Sequence, residues 1–140
     1  MTSATQSQTM AAKSASLHAA MEFVRKGALE AKLPEARLDE LDLVIEEVFM
    51  NVCRYAYPEG EQGTVTLTFS IPAPGELSVE VADQGVEFDP LTASRAPSTL
   101  NLESLPIGGW GLVLVKALAS SLTYRRDSGW NRLTFRIRCG

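Results

Sequence analysis

The sequence has few of the residues on which small secreted and metal-dependent proteins rely: two cysteines, one histidine and no excess of basic charge. Cys53 and Cys139 lie far apart without metal-ligand spacing, so neither a disulfide framework nor a zinc site is expected, and a reducing compartment fits. Thirteen Lys and Arg against seventeen Asp and Glu leave a net charge of −4. No bulk positive field draws such a chain toward nucleic acid or anionic lipid. The apolar runs fall short of a membrane span. Residues 1–16 carry nine Ser, Thr or Gln and a single Lys, and lack the basic start and apolar stretch of a signal peptide. A cytoplasmic location is therefore expected. What is present, 140 residues with 45% hydrophobic and 21% charged content, suits one globular domain held together by a packed core.

Residues 1–14 read as a flexible N-terminus with a short edge strand near Gln8 to Ala11, and residues 15–140 read as the domain. From Ser16, the residues Leu17, Ala20, Met21, Val24 and Ala28 recur at helical spacing, which predicts a helix ending near Leu33-Pro34. A second helix starts with Pro34 in its first turn and carries Leu38, Leu41, Val44, Ile45, Val48 and Val52 as an apolar stripe, stopping at Tyr57-Pro58. The period then changes to two. Val65, Leu67, Phe69 and Ile71 alternate with hydroxylated residues, and Leu77, Val79 and Val81 resume the alternation after Pro72-Ala73-Pro74-Gly75, as in an antiparallel hairpin. Residues 86–107, broken by Pro90, Pro97 and Pro106, read as a long lid-like connection. A third helix is expected after Gly108-Gly109-Trp110-Gly111, followed by strands near Leu122–Arg126 and Asn131–Arg138. This order predicts an α+β, two-layer sandwich with helices on one face of a mostly antiparallel sheet, because the short strand connections leave no room for parallel crossovers.

Three features carry chemistry. Glu47 and Asn51 are four residues apart on the second helix, at the flank of its apolar stripe, where a carboxylate could accept a proton and an amide oxygen could serve Mg²⁺. Asp83-Gln84-Gly85 ends a strand, where an Asp can accept a hydrogen bond from a base's exocyclic amine and a Gly permits close approach. Gly108-Gly109-Trp110-Gly111 precedes a helix whose positive end and bare backbone N–H groups could hold phosphate, although it matches neither the dinucleotide nor the Walker pattern. Each taken alone also fits an ordinary helix edge, turn or helix start. Their order is more specific than any one of them.

That order resembles the GHKL (histidine kinase-like) ATPase superfamily, and within it the anti-sigma factor serine/threonine kinases. The resemblance runs from about residue 15 to the C-terminus, through Glu46-Glu47-Val48-Phe49-Met50-Asn51, Tyr55-Ala56-Tyr57-Pro58, Asp83-Gln84-Gly85-Val86-Glu87-Phe88-Asp89-Pro90 and Gly108-Gly109-Trp110-Gly111-Leu112. It implies a pocket for Mg-ATP with Asn51 as metal ligand, Glu47 as the base that activates an attacking hydroxyl, and Asp83 as the adenine acceptor. Gly85 would let the base approach, and Gly109, Gly111 and Leu112 would line the nucleotide. It further implies a kinase that phosphorylates an anti-anti-sigma factor, binds a sigma factor or related regulator in a partner-switching pathway that controls transcription, and leaves a homodimer open.

Three positions depart from the common pattern: Glu87 replaces a second glycine, Tyr55 replaces a histidine, and Trp130-Asn131 replaces a late Gly-Thr. Glu87 and the altered last strand motivate an alternative, a non-catalytic module, nucleotide-gated or nucleotide-free, that sequesters a regulator. The catalytic domain of a sensor histidine kinase is a third and weaker reading. His18, with no readable carboxylate partner, is expected on a helix surface or half-buried rather than in catalysis. Arg125, Arg126, Arg132, Arg136 and Arg138 form a locally basic block, in which Arg132, Arg136 and Arg138 alternate with Leu133, Phe135 and Ile137 as on a half-exposed strand.

Overall fold

The computed structural model describes residues 5–58, 61–87 and 119–138. Its elements are β1 (Gln6–Ala11), a single 3-10 turn (Ser14–Ser16), α1 (Leu17–Glu30), α2 (Glu35–Tyr55), β2 (Thr64–Ala73), β3 (Glu76–Asp83), β4 (Ser121–Asp127) and β5 (Trp130–Arg138). The expected lid and third helix, with Gly109, Gly111 and Leu112, lie outside the described residues. Every strand pairing is antiparallel and the order is β1-β2-β3-β5-β4. The expected α+β architecture is therefore present. No described helix is long and apolar enough to cross a membrane.

The edge strand begins at Gln6, earlier than the sequence suggested, and residues 6–11 belong to the sheet rather than to a tail. Its outer face is fixed to β2 by hydroxyl pairs, Ser7 with Thr68 and Thr9 with Thr66, each at 2.8 Å. Such cross-strand pairs compensate for the little apolar surface this strand offers.

α1 ends three residues before the expected Leu33. Lys32 takes a positive φ of 63°, its N–H donates to the Leu29 carbonyl, and Leu33 N–H donates to the Ala28 carbonyl at 3.0 Å. This is the Schellman closure, with a lysine where glycine is usual. The buried Leu33 and Ala28 meet beneath it, which offsets the strain. Pro34 is the extended residue just before α2 rather than a member of its first turn.

Apolar rows fill the space between the helices and the sheet: Val65, Leu67 and Phe69 from β2, Leu77, Val79 and Val81 from β3, and Leu133, Phe135 and Ile137 from β5. The helices answer with Phe23 and Val24 from α1 and Leu41, Ile45 and Phe49 from α2. The α2 stripe thus extends to Phe49, which the sequence reading omitted, while Val52 is only half-buried. Gly27 lets α1 lie against the sheet, since a Cβ there would stand 2.8 Å from the Phe69 ring. The β4–β5 hairpin turns through Ser128 and Gly129, both at positive φ, the two-residue geometry that matches strand twist.

Candidate functional site

The period of β3 decides where the site's first residue points. Leu77, Val79 and Val81 face the helices, so Asp83 must do so as well, at the end of the row. It is 5% exposed. Burial of a carboxylate in a core is costly unless donors surround it. Its Oδ1 accepts from the Gly85 N–H at 2.9 Å and from Asn131 Nδ2 at 2.8 Å. Asn131 is the cross-strand partner of Asp83 and is 4% exposed. The same Nδ2 donates to the Val86 carbonyl at 2.7 Å, while Asn131 Oδ1 accepts from the Tyr124 hydroxyl at 2.6 Å and Arg126 Nη1 at 3.2 Å. Arg126 Nη1 also donates to the Gly85 carbonyl at 2.8 Å.

Sequence reasoning singled out Asp83 and noted Asn131 without assigning it a role, but missed Tyr124 and the part played by Arg126. Arg126 shares a strand face with Leu122 and Tyr124 and, although exposed, bonds Gly85 and Asn131, while Asn131 continues the inward row of Leu133 and Phe135. Strand parity could have flagged both, a polar residue at an inward position being the informative exception. The other arginines behave as expected, with Arg132 paired to Glu80 at 2.9 Å and Arg136 and Arg138 both near Glu76. His18 is exposed as expected, but Glu22 is its partner at 2.7 Å, one helical turn away.

α2 supplies the second part. Asn51 is 8% exposed, a buried amide on an otherwise apolar helix face. Glu47, one turn earlier, is half-buried, and its Oε2 is shut from solvent with no hydrogen-bond partner among the described residues. Burial pushes the Glu47 carboxyl above its ordinary value; Arg54 opposes the shift and Glu46 adds to it. An unpaired buried carboxylate oxygen is unfavourable by about 1–3 kcal/mol or more.

The two parts are joined. Val86 N–H donates to the Ala56 carbonyl at 2.7 Å, linking the last turn of α2 to the loop after β3. Gly85 is required for this approach, because a Cβ there would lie 2.0 Å from the Ala56 oxygen. Its absent side chain thus serves contact with the helix end, a requirement that is separate from any approach of a base. Tyr57 adds a brace: its hydroxyl donates to the Thr64 carbonyl at 2.5 Å and accepts from Gln84 N–H at 3.0 Å. At 1.5 Å per residue, Asn51 lies about 7 Å and Glu47 about 13 Å along the helix axis from Ala56. An open hollow of about 550 Å³ runs between Tyr57, Pro58 and Gln62 on one side and Gln84 to Val86 on the other. Glu87 is exposed.

Residues 10–137 match the family described as the histidine kinase-like ATPase domain, and the chain belongs to it. It is 33% identical over 94 residues to the serine/threonine-protein kinase BtrW of Bordetella bronchiseptica, covering 67% of this chain and 66% of that protein. It is 29% identical over 96 residues to the serine-protein kinase RsbW of Bacillus cereus, covering 66% and 59%. The chain spans less than two thirds of the length of these relatives. A histidine kinase domain from the Erythrobacter litoralis EL346 blue-light activated histidine kinase superposes with a TM-score of 0.52 at 21% identity, over 73% of this chain and 44% of that one. A further structure of that kinase superposes with a TM-score of 0.56 at 21% identity, over 76% and 32%. At this identity the likeness speaks to the fold alone.

Proposed function

We propose that the protein is a serine/threonine kinase that binds Mg-ATP and transfers the γ-phosphoryl group to an anti-anti-sigma partner, with a sigma factor or related regulator as the competing ligand. The observation that carries this reading is the buried Oε2 of Glu47, unpaired among the described residues and one turn from buried Asn51, on a helix whose end is bonded to the loop of Asp83. The similarity to proteins named as serine/threonine kinases supports the same reaction class. A cytoplasmic setting follows from the use of ATP.

Each residue then has a task. Asp83 accepts the exocyclic amine of adenine at one end of the elongated nucleotide, and Glu47 stands toward the other. Glu47 takes the proton of the attacking hydroxyl, and its raised pKa makes it a stronger base than an exposed carboxylate. Asn51 would offer its amide oxygen, a hard donor of the kind that suits Mg²⁺ shared with phosphate. When bound, that ion neutralises charge on the phosphate oxygens. The family resemblance assigns Gly109, Gly111 and Leu112, which lie outside the described residues, to nucleotide binding.

The test is labelled ATP mixed with the protein and a small single-domain partner carrying a surface Ser or Thr. Phosphoserine or phosphothreonine should appear, and Glu47→Ala should abolish transfer while ATP binding persists. A wild-type protein that binds the partner without ever labelling it would instead be a sequestering module.

A further inference from the structure

The hydrogen bonds around Asp83 carry a consequence for nucleotide choice, which rests on the reading of the site as an adenine pocket. We propose that Asn131, held by Tyr124 and Arg126, is a positioning residue that sets base selectivity by occupying one oxygen of Asp83 and leaving the other for the ligand.

A primary amide has two N–H donors and two lone pairs on its oxygen. In Asn131 both N–H groups are committed, one to Asp83 Oδ1 and one to the Val86 carbonyl. Its oxygen takes the Tyr124 hydroxyl and Arg126 Nη1. Rotating the amide by half a turn would set its oxygen against a carboxylate and a carbonyl, and its NH₂ group against a guanidinium. One orientation is therefore enforced. Asn131 has no N–H left for a base and acts through Asp83.

Asp83 Oδ1 accepts two N–H groups, from Asn131 and Gly85, which fills both lone pairs. Among the described residues no donor reaches Oδ2. A carboxylate with both oxygens free can grip the adjacent ring N–H and amino group of guanine in two parallel hydrogen bonds. With Oδ1 filled, Asp83 offers a single acceptor, which suits the single exocyclic amine of adenine. Arg126 completes the clamp by donating to the Gly85 carbonyl, which ties the loop that supplies the other donor to Oδ1.

The experiment is calorimetric titration of the full chain with Mg-ATP, Mg-GTP and Mg-ITP, for wild type, Asn131→Ala and Tyr124→Phe, with the melting temperature of each. Wild type should prefer ATP. Asn131→Ala should reduce the ATP-over-GTP preference by roughly tenfold, the scale of one hydrogen bond to a charged group. Tyr124→Phe, which removes the phenolic donor to Asn131 and keeps the ring, should shift the preference in the same direction by less. A purely structural role would weaken all three nucleotides by one common factor, and that result overturns the proposal, as does an unchanged preference in both variants. If Asn131→Ala does not fold, Tyr124→Phe decides by the same criterion. Wild-type protein that binds no nucleotide overturns the kinase reading along with the clamp, whereas an intact ATP preference in the variants overturns the clamp alone.

Discussion

The N–H of Val86 donates to the carbonyl oxygen of Ala56 across 2.7 Å, so the loop that follows Asp83 is bonded to the end of the helix that carries Asn51. The bond satisfies a carbonyl that a helix end would otherwise leave unpaired. It also couples the two halves of the site mechanically.

Gly85→Ala tests that junction. The new Cβ would stand 2.0 Å from the Ala56 oxygen, a backbone atom that cannot rotate aside. Stability should fall by about 3 kcal/mol, the upper end of overpacking effects, and nucleotide affinity should fall with it. Urea denaturation and ATP titration read the two losses separately.

Glu47→Gln should separate stability from catalysis. Burial raises the carboxyl pKa in the folded protein above its ordinary 4.5, so charged Glu47 costs stability at neutral pH. That penalty is absent below the unfolded-state value and grows as pH rises through the folded-state one. The variant should melt at a higher temperature than wild type at pH 7, with the gap closing on acidification toward pH 4.5. Phosphoryl transfer should vanish. In wild type the acid limb of the rate profile should lie above the ordinary carboxylate value, since only the ionised form accepts the proton.

Asn51→Ala removes the amide oxygen assigned to the metal. ATP affinity in magnesium should drop to that measured in a chelator, whereas the magnesium-free affinity should change little. Equal losses in both conditions would remove Asn51 from the metal's coordination.

Phe69→Ala addresses the core beneath the sheet. Phe69 is fully buried, packs 5.0 Å from Phe23 between ring centroids, and lies under Gly27 of α1. A loss of about 3–5 kcal/mol is expected by chemical denaturation, as for other large core truncations.

Reversing Arg136 and Arg138 to Glu should do far less. Both side chains are exposed and share Glu76, at 3.3 and 3.6 Å, on the face turned away from the helices. Stability should change by no more than about 1 kcal/mol and ATP binding should be unaffected. A loss of nucleotide affinity would place this face in the site.

Much was legible in the chain because local periodicity encodes facing. Alternation along β3 puts Asp83 on the side of Leu77 and Val81, and helical spacing puts Glu47 and Asn51 at the margin of one apolar stripe. Local rules failed where a residue did an unusual job. Lys32 ends α1 in a conformation that glycine usually takes, and Phe49 joins the core from a position next to the counted stripe. Arg126 is a surface arginine whose bonds to Gly85 and Asn131 show only once β4 is placed beside β5.

The sequence by itself determined the element types, the antiparallel pattern and the identity of the acidic and amide side chains, since these depend on neighbours within a few residues. Tertiary structure alone decided that Asn131 faces Asp83 from 48 residues away and that Ala56 meets Val86. Strand order and helix docking set those meetings. They are won by burial of the whole core, an energy spread over many side chains that no short stretch of sequence contains.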